Sequence, residues 1–173
     1  MLGSLAVAFA LAMPAQAPDF GAAIQKEKLA KLSFLVGEWE GKAFFIMPQG
    51  RVELESYEKV EAKAGGTAYF ITGRHWRNLP SGEKMVVHDA AALLRFDAAK
   101  KNYRMVAQLA TGATNDFIVD VGDKGYTWES VTPVGPMRYT MTLTDQGEWL
   151  EVGDRKVGDR FERAFEMRLK KKD

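Results

Sequence analysis

The sequence predicts an all-β protein, a ten-stranded antiparallel up-and-down barrel with a short N-terminal helix that caps one end. Three observations predict this fold. From Gly37 onward, apolar and polar residues alternate with a period of two, as in strands that bury one face. Nine turn signals interrupt the alternation, and no helical segment does. Pairing the first strand with the last removes two exposed sheet edges, which favours a closed barrel.

Composition indicates one globular domain and excludes several classes of protein. The 173 residues are 46% hydrophobic, enough for a single core. The formal net charge is +1, with both signs interspersed, so no basic face for nucleic acid is expected. The basic tail "RLKKKD" (168–173) is interpreted as a solvated end. The absence of cysteine excludes disulfides, thiol nucleophiles and thiolate metal sites.

The N-terminus is typical of a secretory signal. An apolar run from Leu5 to Ala12 precedes Ala15-Gln16-Ala17, which fits an A-x-A cleavage site. We therefore expect a signal peptide over residues 1–17, one domain over 18–173, and a periplasmic or secreted location. The run is too short to span a bilayer, so stable membrane insertion is not expected.

The next segment, "AAIQKEKLAKLSFLVG", predicts the capping helix. Ile24, Leu29, Leu32 and Leu35 recur at roughly helical spacing, and Gly37 is a reasonable stop signal.

The turn signals divide the rest of the chain into ten strands and fix which residues share a face. Residues that face each other across a hairpin point to the same side of the sheet. Ten strands enclose more space than eight, so an internal cavity is expected. The signals are "MPQG" (47–50), "KAGG" (63–66), "NLPSG" (78–82), "DAAKKN" (97–102), "ATGAT" (110–114), "GDKG" (122–125), "PVGP" (133–136), "DQGE" (145–148) and "DRKVGD" (154–159).

When residues are paired across each of these turns, those predicted to face the interior are nearly all apolar. The "ATGAT" turn needs an odd loop or a bulge to keep the alternation. On the last two strands, the residues predicted to point inward are Leu150, Val152, Phe161, Arg163, Phe165, Met167 and Leu169.

The string "FLVGEWEG" (34–41) explains how one end of the barrel could be closed. Trp39 enters at the start of the first strand, where Gly37 and Gly41 let backbone approach its ring, so we expect it to form the floor. Glu58 is predicted to point inward on the adjacent strand.

This Gly-x-Trp after a helical lead, at the head of an antiparallel barrel, resembles the calycins (lipocalins and fatty-acid-binding proteins). The fuller string and the basic final strand resemble nitrobindin and a related family of bacterial secreted barrels of unknown function. Calycins imply an internal site for a small, mostly apolar molecule. Nitrobindin implies haem held by a histidine near the C-terminus. The last strand, Phe161 to Lys170, has no histidine, which disfavours haem.

Arg163 is the predicted inward residue that carries a permanent charge. A buried guanidinium needs an anionic partner. It could bind a ligand carboxylate, as the resemblance to fatty-acid-binding proteins implies. Alternatively, it pairs with Glu58 or stacks toward Trp39.

His75 and His88 are predicted to face the interior from neighbouring strands, opposite each other. They could form a paired site for a metal, a haem axial bond or a proton relay. Alternatively, they are hydrated or bonded side chains near the mouth, and two histidines without a third ligand are weak grounds for a metal. Tyr69, Tyr126, Trp128 and Tyr139 are predicted to line the ligand site, or to be core.

No enzyme motif is found: the sequence has no G-x-S-x-G, H-E-x-x-H, P-loop or dinucleotide fingerprint, and no catalytic residue is predicted. Three hypotheses remain. The first is an exported carrier or sensor of a small hydrophobic or amphipathic molecule, with an acidic head near Arg163. The second is a haem barrel using His75 or His88. The third is a structural or interaction module with a filled interior. The sequence is also compatible with a homodimer.

Overall fold

A computed structural model describes residues 20–132 and 135–172 as a closed barrel with a helical lead. Every strand pairs antiparallel with its neighbours in sequence, and β1 pairs with β10 to close the wall. The predicted fold class is therefore confirmed, whereas the predicted signal peptide over 1–17 lies outside the described residues. The elements are α1 (Ala22–Ala30), a 3-10 turn (Ser33–Leu35), β1 (Gly37–Met47), β2 (Gly50–Lys63), a second 3-10 turn (Ala64–Gly66), β3 (Ala68–Asn78), β4 (Lys84–Asp97), β5 (Asn102–Leu109), β6 (Thr114–Val121), β7 (Gly125–Thr132), β8 (Gly135–Leu143), β9 (Trp149–Val157) and β10 (Arg160–Lys171).

Most of the inner face predicted for β1 to β8 is confirmed. Val86, predicted to point inward on β4, is an exception, because a bulge places it opposite the outward Trp76 and it is 52% exposed. Trp39, Gly41 and Ala43 of β1 pair with Glu58, Ser56 and Leu54 of β2. Directly opposed residues point to the same side, and apart from Gly41, which stays partly accessible, these residues are buried. The space that this face encloses is called the lumen below.

The predicted faces of β9 are inverted. The β8–β9 turn is a three-residue loop, in which the Thr144 amide donates to the Glu148 carbonyl and Gly147 adopts φ 74°. Three-residue hairpin loops place glycine at this left-handed position. The odd loop pairs Leu143 with Trp149. Trp149, Glu151 and Gly153 therefore face the lumen, and the prediction that Leu150 and Val152 do so is wrong.

A β-bulge in β10 restores the predicted faces beyond it. The pairing with β9 shifts between Arg163, opposite Asp154, and Phe165, opposite Gly153. One extra residue on a strand turns every following side chain to the other side. Phe165, Met167 and Leu169 point inward as predicted and are buried, while Arg163 and Phe161 point outward. The inward predictions for Arg163 and Phe161 are therefore wrong.

Two indole rings close one end of the barrel, and we call Trp39 and Trp149 the floor. Both are 1% exposed and meet edge to face, with ring centroids 5.7 Å apart. The Trp39 Nε1 donates a hydrogen bond to the Leu35 carbonyl at 2.8 Å, which ties the floor to the helical lead. Lys171 lies over the Trp39 ring at 5.2 Å. Trp39 therefore lies at the closed end of the barrel, and its role in closing that end stays a prediction.

The helical lead packs beneath the floor. The predicted helix is broken in two, because α1 ends at Ala30 and a 3-10 turn completes the segment. Leu29, Leu32 and Leu35 are 0% exposed, whereas Ile24 is 41% exposed. These leucines extend the apolar core below the barrel.

Tyrosine hydroxyls from two strands bind the end of α1. Tyr69 donates to the Leu29 carbonyl at 3.0 Å and Tyr103 to the Lys28 carbonyl at 2.9 Å. The last carbonyls of a helix have no partner within the helix, so these bonds satisfy groups that would otherwise need water. Among the described residues, no helix is long and apolar enough to span a bilayer.

Replacing Trp39 by phenylalanine should destabilise the protein by about 2–4 kcal/mol, since it leaves a gap in the floor and an unpaired Leu35 carbonyl. The matched control is Trp76→Phe on the outer face, where the indole bonds Glu55 at 2.6 Å. That change should cost about 1 kcal/mol. Urea unfolding of both variants checks this, and equal losses would show that the floor has no special role.

Candidate functional site

The lumen contains a cavity of about 440 Å³. Its lining runs from Glu58 and Trp149 near the floor to Val131 at the far end, where that side chain is 84% exposed. The cavity is therefore closed by the floor at one end and open at the other, which we call the mouth. Apolar walls come from Phe45, Ile71 and several alanines on β4.

Three aromatic rings form one wall, and we call Tyr126, Trp128 and Tyr139 the aromatic stack. Ring centroids lie 5.4 Å apart between the first two and 5.0 Å apart between the last two, with planes inclined by 27° and 13°. Gly153 lies behind this wall, because a Cβ there would come within 2.8 Å of the Tyr139 ring. The stack offers a flat face on which a planar molecule can lie.

Glu58 is a buried carboxyl group next to the floor. It is 7% exposed and stands opposite Trp39 in the ladder. Its place depends on Gly73, because a Cβ on Gly73 would lie 2.6 Å from Oε2 of Glu58. Burial, reinforced by the nearby Glu151, raises the pKa of Glu58 well above its ordinary value.

Glu151 is a second carboxyl group on the inner face, and we call Glu58 and Glu151 the acidic pair. Burial raises the pKa of Glu151 to about 7, while a hydrogen bond from Trp149 Nε1 at 3.3 Å opposes the rise. Sequence reasoning missed Glu151, since it stands between Leu150 and Val152 and reads as an outward residue. The available signal was Gly147, whose position indicates an odd loop.

The two histidines face each other inside the barrel, as predicted. His75 pairs with His88 in the ladder, and their rings stack with centroids 4.9 Å apart. His75 Nδ1 shares a 2.8 Å hydrogen bond with Ser56 Oγ, and its Nε2 lies 3.9 Å from Glu58. Burial, with a smaller effect of His88, lowers the pKa of His75 to about 3. Burial also lowers the pKa of His88. Both rings are therefore neutral at pH 7.

The other predicted site residues do not all lie in the cavity. Tyr126, Trp128, Tyr139, His75 and His88 line the cavity, although their role in binding stays a prediction. Glu58 also lines it, so it belongs to the site as well as bordering the floor.

Tyr69 is buried but is not part of the cavity lining, because its hydroxyl binds α1. Gly37 begins β1 at φ 135°, beside the Lys171 side chain.

Arg163 lies on the outer surface, so the predicted anchor for an acidic ligand is absent from the lumen. Its guanidinium pairs with Asp154 at 2.7 Å and Glu166 at 2.9 Å. Neither Glu58 nor Trp39 is its partner, which corrects both alternatives given above. The physical reason is the bulge beside Arg163, which rotates this part of β10 outward.

The lining does not fit haem. Haem propionates carry negative charge, which is costly to bury without a cation, and no Lys or Arg is among the described residues that line the cavity. His75 has one ring nitrogen bonded to Ser56 and the other directed toward Glu58, so neither is placed to bind iron. Within residues 20–132 and 135–172, no group of three or more His, Asp or Glu could hold a metal ion.

Comparison with solved structures finds a similar barrel. The "Crystal Structure of Rv2717c from M. tuberculosis" matches with a TM-score of 0.61 at 16% identity, covering 84% of this chain and 97% of that one. At this identity the likeness concerns the fold alone, and at a coarse level it fits the calycin-like barrel expected from the sequence. No protein family and no curated protein matches the sequence.

Gly73→Ala should destabilise the protein by about 1–3 kcal/mol, because the new methyl group would overlap the Glu58 carboxyl. In a Glu58→Ala background the space is empty, so the same change should cost much less. A double-mutant cycle by urea unfolding measures this coupling. An equal cost in both backgrounds would show that the glycine serves another purpose.

Glu151 should make the protein less stable as pH rises. Its folded pKa of about 7 exceeds the ordinary 4.5, so between these values the unfolded state binds fewer protons and unfolding becomes easier. The loss should reach about 3 kcal/mol by pH 8. Glu151→Gln removes this pH dependence, so the free energy of unfolding of the variant should rise relative to that of the parent between pH 5 and pH 8.

Urea unfolding at both pH values is the measurement, with Glu53→Gln as the matched control, since Glu53 is exposed on the outer face of β2. A constant difference between Glu151→Gln and the parent across this range would contradict the assignment of a raised pKa to Glu151.

Proposed function

We propose that this protein binds a small, mostly apolar molecule inside the barrel. The observation that carries the proposal is the cavity of about 440 Å³, lined by aromatic and aliphatic side chains with few polar groups. Ligand pockets typically have about 300–1,000 Å³ and such a lining. A module with a filled interior does not fit this cavity.

The shape of the lining supports a ligand with a flat apolar part and one polar group. The aromatic stack offers a planar surface along β7 and β8. The ionisable side chains Glu58, Glu151 and His75 meet the cavity toward the floor end, whereas the neutral Asn115, Ser130 and Thr132 line it nearer the mouth. The acidic head group expected from Arg163 is not part of this proposal, because that residue lies outside.

Export is a further part of the proposal and rests on the signal-like residues 1–17. A periplasmic or secreted carrier would meet its ligand outside the cytoplasm. N-terminal sequencing of the mature protein tests this: a start at Pro18 supports export, and an intact N-terminus contradicts it. The homodimer stays a prediction.

Binding can be tested with N-phenyl-1-naphthylamine, a neutral dye that fluoresces in apolar sites. We expect saturable fluorescence with the parent protein and at least a tenfold loss of affinity in Ala92→Trp, because Ala92 lines the cavity and an indole would fill it.

Two controls keep this test specific. Leu93→Trp adds an indole at the next residue, which is 38% exposed on the outer face, and should bind normally. Arg163→Ala should also bind normally. If the dye binds Ala92→Trp as well as the parent while circular dichroism shows an intact barrel, the lumen is not the site.

A further inference from the structure

The acidic pair has no cationic partner in the protein. Among residues 20–132 and 135–172, neither Glu58 nor Glu151 forms an ion pair with Lys or Arg; the neighbours of the pair are His75, 3.9 Å from Glu58, and the Trp149 indole. The described ion pairs of Lys and Arg lie among exposed or partly exposed side chains, as for Arg163 and Asp154. Glu58 is buried and Glu151 is partly buried, and carboxyl groups withdrawn from water are ordinarily paired, so the missing partner is informative.

The histidines do not supply the missing charge. Both line the cavity, but His75 and His88 stack on each other in a buried position that disfavours a positive charge on either ring. On the inner face of β9, Arg155 lies further toward the mouth, opposite Met137, and is not part of the lining. Among the described residues that line the cavity there is no Lys or Arg, so a positive charge at the floor end would come from the occupant.

The aromatic stack points to the same chemistry. The electron-rich faces of Tyr126, Trp128 and Tyr139 border the cavity that the acidic pair borders. Such faces attract a cation by about 0.5–2 kcal/mol, and they repel the negative charge of an acid. An ammonium group also has three donors, enough to bond more than one carboxylate oxygen.

We propose that the lumen selects a cationic ligand, an aromatic or amphipathic amine whose ammonium group lies between Glu58 and Glu151 while its apolar part stacks on Tyr126, Trp128 and Tyr139. This inference rests on the proposed function and deepens it. From the sequence we expect an acidic ligand, and from the structure a cationic one. The reason is that Arg163, predicted to point inward, lies on the outer surface, while Glu151, not predicted to point inward, lines the cavity.

The test uses three probes that share one ring system: 2-naphthylmethylamine, 2-naphthylmethanol and 2-naphthoate. They carry an ammonium, a hydroxyl and a carboxylate on the same apolar body. Isothermal titration at pH 8 should show the amine binding at least tenfold more tightly than the alcohol, and the acid more weakly than both. An amine that binds no better than the alcohol overturns the selection for charge while leaving the proposed function standing. If no probe binds and N-phenyl-1-naphthylamine also fails, the proposed function itself is lost.

Substitutions of individual carboxyl groups show which of them cause the preference for the amine over the alcohol. Glu151→Gln should reduce the amine-to-alcohol affinity ratio at least fivefold, and Glu58→Gln should act in the same direction. Glu53→Gln on the outer face should leave the ratio unchanged. A ratio that persists in a folded Glu151→Gln protein overturns the role of the acidic pair.

A pH series on the parent protein tests the same point without substitutions. The titratable groups that face Glu151 are Glu58, Tyr126 and Tyr139, and His75 and His88 line the same space. Protonation of the acidic pair removes the attraction for the ammonium, so the amine-to-alcohol ratio should fall at least fivefold between pH 8 and pH 5.5. A ratio that rises or stays constant contradicts the proposal.

Discussion

Alternation of side chains across a closed wall is the constraint on which the rest of this structure depends. A barrel has one inside, and each residue of a strand faces either the lumen or the solvent. An odd loop or a bulge exchanges the two faces for all that follows. The loop at 145–147 and the bulge beside Arg163 are two such exchanges, and they bracket one segment. Within it, Glu151 turns inward and Arg163 turns outward, which decides the charge of the lumen.

The sequence was sufficient for the fold, for the position of Trp39 in the floor and for most of the lumen, because the alternation of apolar residues extends over many strands and tolerates a local error. It did not predict Trp149 as the other half of the floor. It was insufficient where an odd loop is not offset by a bulge close to it. The β3–β4 hairpin has the same three-residue loop, closed by Leu79 and Glu83, but a bulge after His75 cancels it, so both histidines were placed correctly. On β9 the compensation comes only after Arg163. Bulges depend on tertiary packing and leave little trace in local composition.

The polar groups of the lumen oppose one another in their effect on stability. Buried carboxyl groups with raised pKa values weaken the fold as pH rises, while a buried neutral histidine weakens it as pH falls below its ordinary range. A lumen filled with leucine would avoid both costs. Gly73 keeps space for Glu58, and Ser56 holds the His75 ring, so the neighbouring residues accommodate this arrangement. Such departures from an apolar core concentrate at functional sites.

The hydroxyls of Tyr69 and Tyr103 and the indole of Trp39 fasten the helical lead from three separate strands. These three hydrogen bonds hold that end of the barrel closed. Under the proposed function, a ligand would enter and leave through the mouth, with its polar group entering first and leaving last, and its residence time would depend on fluctuations of the strands around the mouth. Loosening α1 would therefore lower the melting temperature well before it changed the rate of ligand exchange.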